Sequence, residues 1–393
     1  MKHKTWNMVS TSSNKGTSTR GQHSNRSKDR GTPQNRWLLP KTSLMKRAPY
    51  ASIALLLLLA SSMRSAPTER VFVLDEFLRE SAKLNAGQID SVHRGKAVAT
   101  ILESPTPDEV FVFGTVYIEA APESYLQLAN DFDALRKLPS YLAIQKFSNP
   151  PQPSDLTGFT IDEKDLKELK NCKPGDCEVQ LPSEAMDQFQ KSVNWKAADA
   201  ASQANRLAQQ MALEALVAYQ KGGNEALGVY RDKNHPTKVA ETFQSLLGRL
   251  KSLPVYLPDV NRVLLEYPGL ELANAHYEFY WEKVNFGLKP TLRMVQQITY
   301  RGGNPGNPAY AVALKQLYSS HYFQSALDLT VCIRDAARPN EHGFYLITVK
   351  ASQQAGLTGL KGSIVRKVAV GRTRSSLERT LTAIKERLEA APG

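Results

Sequence analysis

From residue 70 onward the apolar positions follow two rhythms, and these divide the chain into three zones. In the first, about 70–150, a spacing of three and four predicts a helix near 74–84. Period-two segments predict strands over 97–102 and 110–118, the second alternating Val110, Val112, Thr115 and Tyr117 around Gly114. Ala121-Pro122-Glu123-Ser124 opens a helix to about 131, because an early proline and an acid in the first turn suit a helix start. A short helix over 133–138 and a strand over 141–147 complete this zone. The middle zone, 151–270, begins at Pro150-Pro151-Gln152-Pro153 and reads as helical over 162–171, 183–193, 197–220 and 239–250. Leu207, Met211, Leu213, Leu216 and Tyr219 mark the longest helix, Gly222-Gly223 ends it, and Pro254 and Pro258 act as breakers. The last zone is a meander of strands over 277–284, 291–300, 309–318, 321–334 and 344–350. Helices over 360–370 and 375–388 close the chain, the latter striped by Leu377, Leu381, Ile384 and Leu388.

An antiparallel meander beside helices is an α+β class, in which each strand gives one apolar face to the helices and the other to water. The apolar face is assigned Tyr277, Phe279 and Trp281; Leu292, Met294, Ile298 and Tyr300; Tyr310, Val312 and Leu314; and Phe323, Leu327, Leu329 and Val331. Glu278, Glu282, Arg293, Arg301 and Lys350 are expected on the solvated face or at strand ends. Gly302-Gly303-Asn304-Pro305-Gly306 reads as a hairpin loop, and the acids Asp162, Glu163, Asp165 and Glu168 as the exposed start of a helix.

The order of these elements resembles the START-like, or helix-grip, superfamily of polyketide-cyclase and lipid-transfer domains. Val116-Tyr117-Ile118-Glu119-Ala120-Ala121-Pro122-Glu123, then Phe132-Asp133 and Leu138-Pro139-Ser140-Tyr141, is similar to that superfamily's opening of strand, small-Pro-Glu helix, aspartate and short helix. The resemblance covers about 110–150 and 274–390 and implies a curved antiparallel sheet gripping a long C-terminal helix, with a cavity between them. The chain departs from the pattern by a helical insertion, 151–270, after the second strand. The Cys-Lys-Pro-Gly-Asp-Cys segment also resembles that of an uncharacterised family of secreted bacterial proteins.

Charge changes the picture of the first 66 residues. The chain carries a net charge of +12, and residues 1–66 supply +11 of it through twelve Lys and Arg against Asp29 alone. The body from residue 67 is therefore near neutral, which argues against a nucleic-acid partner. Residues 1–44 are polar and basic and cannot bury a core, so they read as disordered. Met45-Lys46-Arg47, an apolar run of about ten residues and the small-residue exit to Ala66 have the three parts of a secretory signal peptide. The run falls short of the roughly 20 residues of a spanning helix. Cleavage near Ala66, a start at Met45 and a secreted or periplasmic body are the expectations, with an uncleaved anchor as the alternative. Internal similarity at a 20–50-residue period is absent, which argues against solenoids and propellers, and the length after residue 66 allows one large domain or two small ones. The resemblance implies that residues 67–393 are one START-like domain with its insertion.

Cys172 and Cys177 flank the turn-forming Pro174-Gly175 and, in an oxidising compartment, read first as a small-loop disulfide; a metal clip or redox pair are the alternatives. Cys332 lies among alternating apolar residues as a packed free thiol. Phosphate loops, dinucleotide fingerprints and Gly-x-Ser-x-Gly elbows do not occur, and the five histidines after residue 66 are not paired at metal-ligand spacing, so neither cofactor nor metal is expected. The candidate ligand-binding residues are Gln296, Gln316 and His321, polar groups on the inward register, with Trp281, Tyr300 and Tyr310 around them. The expected function is a binding protein for an apolar small molecule or lipid, with membrane contact only transient. An enzyme on the same fold using His321 is one alternative, and an envelope interaction protein using the insertion is the other.

Overall fold

The structure, a computed structural model, describes residues 73–137, 140–285, 289–304, 307–335, 342–357 and 359–390; the expected leader and signal peptide lie outside them. The chain runs α1 (Leu74–Glu80), α2 (Ala86–His93), β1 (Val98–Leu102), β2 (Glu109–Ile118), α3 (Pro122–Ala129), α4 (Phe132–Arg136) and β3 (Tyr141–Lys146). The insertion follows: a 3₁₀ turn (Pro153–Leu156), α5 (Glu163–Leu169), α6 (Ser183–Ser192), α7 (Ala200–Gly222) and a second 3₁₀ turn (Gly223–Ala226). It continues with a two-strand hairpin, β4 (Val229–Tyr230) and β5 (Thr237–Lys238), then α8 (Val239–Arg249), α9 (Leu253–Tyr256) and α10 (Pro258–Glu266). The meander is β6 (Ala275–Val284), β7 (Thr291–Asn304), β8 (Asn307–Ser319), β9 (Phe323–Ile333) and β10 (Phe344–Gln354), and α11 (Gly359–Glu389) ends it.

Several local signals explain these bounds. Asn85 caps α2 and Gln88 returns the bond to the Asn85 backbone, a capping box that the apolar rhythm alone does not reveal. Pro254 and Pro258 do not break helices; they occupy the first turns of α9 and α10, where a missing N–H costs nothing. The two helices expected at the C-terminus are one, because Gly371 sits inside α11 without ending it.

Eight strands form one antiparallel sheet in the order β1-β2-β10-β9-β8-β7-β6-β3. The α+β class with a large antiparallel sheet and a C-terminal helix is therefore present. The sheet is buried on both faces, which the sequence expectation of one solvated face did not include. On one face α7, α8 and α10 pack over Phe279, Trp281, Met294, Ile298, Ala311, Ala313, Leu327 and Leu329. The helices α1 and α2 cover the β2–β10 end of that same face through Phe113, Tyr345 and Ile347. The opposite face carries α3 and α11, with Leu126, Val370, Leu377 and Leu381 against Val112, Val116, Val312 and Leu346.

This corrects the register assigned to β8. Tyr300 pairs with Ala311 and Ile298 with Ala313, so Ala311 and Ala313 share the insertion face with the β7 residues. Tyr310, Val312 and Leu314 point to the α11 face instead. The ladder is unbroken from Asn304 opposite Asn307 to Val295 opposite Gln316, with the one extra β8 residue, Leu317, lying beyond it. The assigned register is therefore one residue out along this whole stretch, and a one-residue slip turns every side chain to the other face. Glycine matters where α11 meets the sheet: a Cβ on Gly114 would stand 2.7 Å from Leu377 Cδ2 and 2.8 Å from Leu381 Cδ1.

Candidate functional site

The six candidate residues do not form one site. Trp281, Gln296 and Tyr300 belong to the insertion face, Tyr310 and Gln316 to the strand positions of the α11 face, and His321 to the β8–β9 turn. Trp281 is a core residue: its ring packs edge-on to Phe159 with centroids 5.4 Å apart, and its Nε1 donates to the Asp155 carbonyl at 2.7 Å. Tyr300 donates to Asp259 Oδ2 at 3.2 Å and ties β7 to α10. Gln296 accepts from the Tyr219 hydroxyl at 2.7 Å, within a buried network that includes Lys315. Gln316 donates to the Phe323 carbonyl at 2.9 Å, while its Oε1 is buried without a hydrogen-bond partner.

His321 is 4% exposed and held at both ring nitrogens. Nδ1 faces the Glu178 carbonyl at 3.0 Å and Nε2 faces Asp165 Oδ2 at 2.7 Å. Asp165, expected on an exposed helix start, is instead 3% exposed on α5 and also lies 3.6 Å from Lys289 Nζ. Glu178 follows Cys177, and Cys172 and Cys177 stand at disulfide distance, their Cα atoms 4.7 Å apart. The loop between them is joined to the β4–β5 hairpin through Gly175 N–H to the Arg231 carbonyl and Cys177 N–H to the Asp232 carbonyl. Cys332 is buried and unbridged, and burial pushes its thiol up.

A second group of charged and polar residues lies on the side of the sheet that carries α3 and α11. There β6, β7, β9 and β10 contribute Glu282, Arg293, Asp328 and Lys350 in a row of alternating sign. Glu282 Oε1 accepts from Arg293 Nη1 at 2.9 Å, and Lys350 bonds Asp328. The first pair is deeply buried, with side-chain exposures of 3% for Glu282 and 14% for Arg293. Burial raises the Glu282 carboxyl, with Arg293 opposing that rise. Burial pulls the Arg293 guanidinium down, but Glu282 and Asp328 more than offset it and hold it charged. Tyr125 of α3, Tyr141 of β3 and Tyr280 of β6 stand close to these charges, and burial raises all three phenols, keeping them neutral donors. Thr330 and Thr348 hydrogen-bond across β9 and β10 at 3.1 Å, and Gln297 donates to Asn130 at 2.6 Å. Thr299 Oγ1, on the same face, is buried without a partner. Tyr310 donates to Glu123 of α3 farther along, with Arg301 5.7 Å above its ring.

Sequence reasoning passed over Glu282 and Arg293 because charged residues alternating with apolar ones on a strand read as a wet face, whereas Lys350, with a side chain 37% exposed, does keep contact with water as expected. The available signal was the excess of covering helices: with helices enough for both faces, much of the expected wet face is enclosed. Comparisons with family models, with curated proteins and with solved structures returned no match. Among the described residues, no group of three or more His, Cys, Asp or Glu is placed to hold a metal ion, and no helix is long and apolar enough to cross a membrane.

Proposed function

We propose that this protein is a START-like binding protein that holds a small amphipathic molecule or lipid between the sheet and the helices α3 and α11. The observation that carries this reading is the buried Glu282–Arg293 pair, followed along the face by the more exposed Asp328–Lys350 pair and by Thr330 and Thr348, on a side of the sheet whose far end is the aliphatic layer of Val112, Val116, Val312 and Leu346. Charged and hydroxyl side chains gathered at one end of a largely apolar layer suit a ligand with an apolar body and a polar end. The strand order β2-β10-β9-β8-β7-β6-β3, with α3 and α4 bridging from β2 to β3, supports the helix-grip comparison. The expected secretory leader makes a periplasmic or extracellular ligand the natural choice.

Native mass spectrometry of protein purified without detergent tests the reading. The expected result is an adduct of fixed mass that organic extraction removes and that the double variant Arg293→Met, Glu282→Met no longer retains. A ligand-free mass, together with failure to bind a fluorescent fatty acid, would overturn it. The enzymatic alternative has the His321–Asp165 dyad in its favour at 2.7 Å. Against it, the second ring nitrogen is committed to the Glu178 carbonyl, which leaves none to take a proton from a substrate.

A further inference from the structure

Lys315 is a titratable side chain that the proposed function does not use. It stands on β8 opposite Gln296 of β7 and is wholly buried at 0% exposure beneath the insertion. Its Nζ donates to the Tyr219 hydroxyl of α7 at 2.8 Å and to Asn224 Oδ1 of the second 3₁₀ turn, and lies 3.5 Å from the Leu264 carbonyl of α10. The ring centroids of Phe243, on α8, and Tyr219 are 4.5 and 4.9 Å away. No carboxylate among the described residues stands against it, and burial alone brings its ammonium down to about 7. An ammonium removed from water without a counter-charge disfavours whatever structure encloses it. Here that structure is the seam between the sheet and a helical layer drawn from four separate elements.

We propose that Lys315 is a proton latch on the insertion: as a neutral amine it seals α7, α8 and α10 against the sheet, and protonation loosens that seal. The direction follows from linkage. In water the amine keeps its proton to about 10.4, and in the sealed form it gives it up near 7. Between these values the open form binds a proton that the sealed form does not, so rising pH favours sealing, by up to about tenfold per unit. Below 7 both forms carry the proton and the dependence ends. Tyr219 is the titratable group that faces the amine, with Tyr267 stacked behind it at 5.6 Å. Burial holds Tyr219 well above its ordinary value and Tyr267 up to about 12, so both stay neutral through the window. The remaining neighbours, Phe243, Asn224, Gln296 and the Leu264 carbonyl, do not titrate.

Hydrogen exchange on the intact protein between pH 6 and 9.5 tests the latch. Chemical exchange of an open amide accelerates about tenfold per pH unit. Wild-type amides of α7, α8 and α10 should therefore exchange at nearly constant rate from pH 8 to 9.5, as opening falls while chemistry quickens. In Lys315→Met the same amides should speed up about tenfold per unit. Parallel tenfold increases in both proteins would overturn the proposal. A second measurement needs no variant: the ¹³Cε resonance of Lys315 in the wild type should titrate within about one unit of 7, and a midpoint near that of free lysine would equally overturn it.

Discussion

Arg293 shows how a residue can be costly to remove alone and yet contribute little net stability. Its guanidinium and the Glu282 carboxylate are buried together, so the attraction between them mostly offsets the loss of water from each. Arg293→Met leaves Glu282 enclosed and unpaired and should cost about 3–5 kcal/mol in urea unfolding. The double variant with Glu282→Met should recover most of that loss or exceed wild type. Equal destabilisation of single and double variants would show that the arginine acts through packing alone. Lys315 and Asp165 teach the same lesson from the sequence side. A lone lysine in a strand and an aspartate in the first turn of a helix are ordinarily wet, and nothing in their immediate neighbours marks them otherwise. Their burial is decided by contacts 96 and 156 residues away in the chain, with Tyr219 and His321.

At the scale of elements, most strands and helices were legible because their periodicity is local. The five meander strands and α3 to α8 fall close to where the apolar rhythm places them. What the rhythm could not supply was the side to which each strand turns. Alternation identifies a face only when the other face is wet, and here both faces are covered. The β8 slip and the misplaced Tyr310 are direct results. The single inward face that Trp281 and Tyr300 were expected to share with Tyr310 became two separate layers for the same reason. Element contact also sets a limit on substitution at Gly114, where α11 approaches β2 too closely for a side chain. Gly114→Ala should destabilise by about 1–3 kcal/mol, because Leu377 and Leu381 are themselves packed and cannot both yield. Thermal unfolding with the C-terminal tryptic peptides followed by hydrogen exchange would locate that loss in α11; a change confined to α1 and α2 would contradict the account.

For the whole molecule, the insertion is a structural layer and not an appendage. It covers Phe279, Trp281, Met294, Ile298, Leu327 and Leu329, a continuous apolar surface that water would otherwise meet. Replacing residues 148–273 by a short turn should therefore give a protein that aggregates or loses near-ultraviolet dichroism. A monodisperse, cooperatively folding product in size-exclusion and calorimetric measurements would show instead that the sheet stands without its cover. The two ends of this layer nevertheless emerge side by side. β3 and β6 are paired neighbours, and Phe147 N–H still bonds the Phe279 carbonyl at 2.8 Å where the strands part. Topologically the whole insertion occupies the place of one hairpin loop. Lengthening a loop costs only about 0.6 kcal/mol per doubling, so the sheet can accept such a segment without any change in strand order. Once the strands beneath have become apolar to suit it, removal is no longer cheap. The junction works as a ratchet, easy to turn in the direction of gain and stiff in the direction of loss.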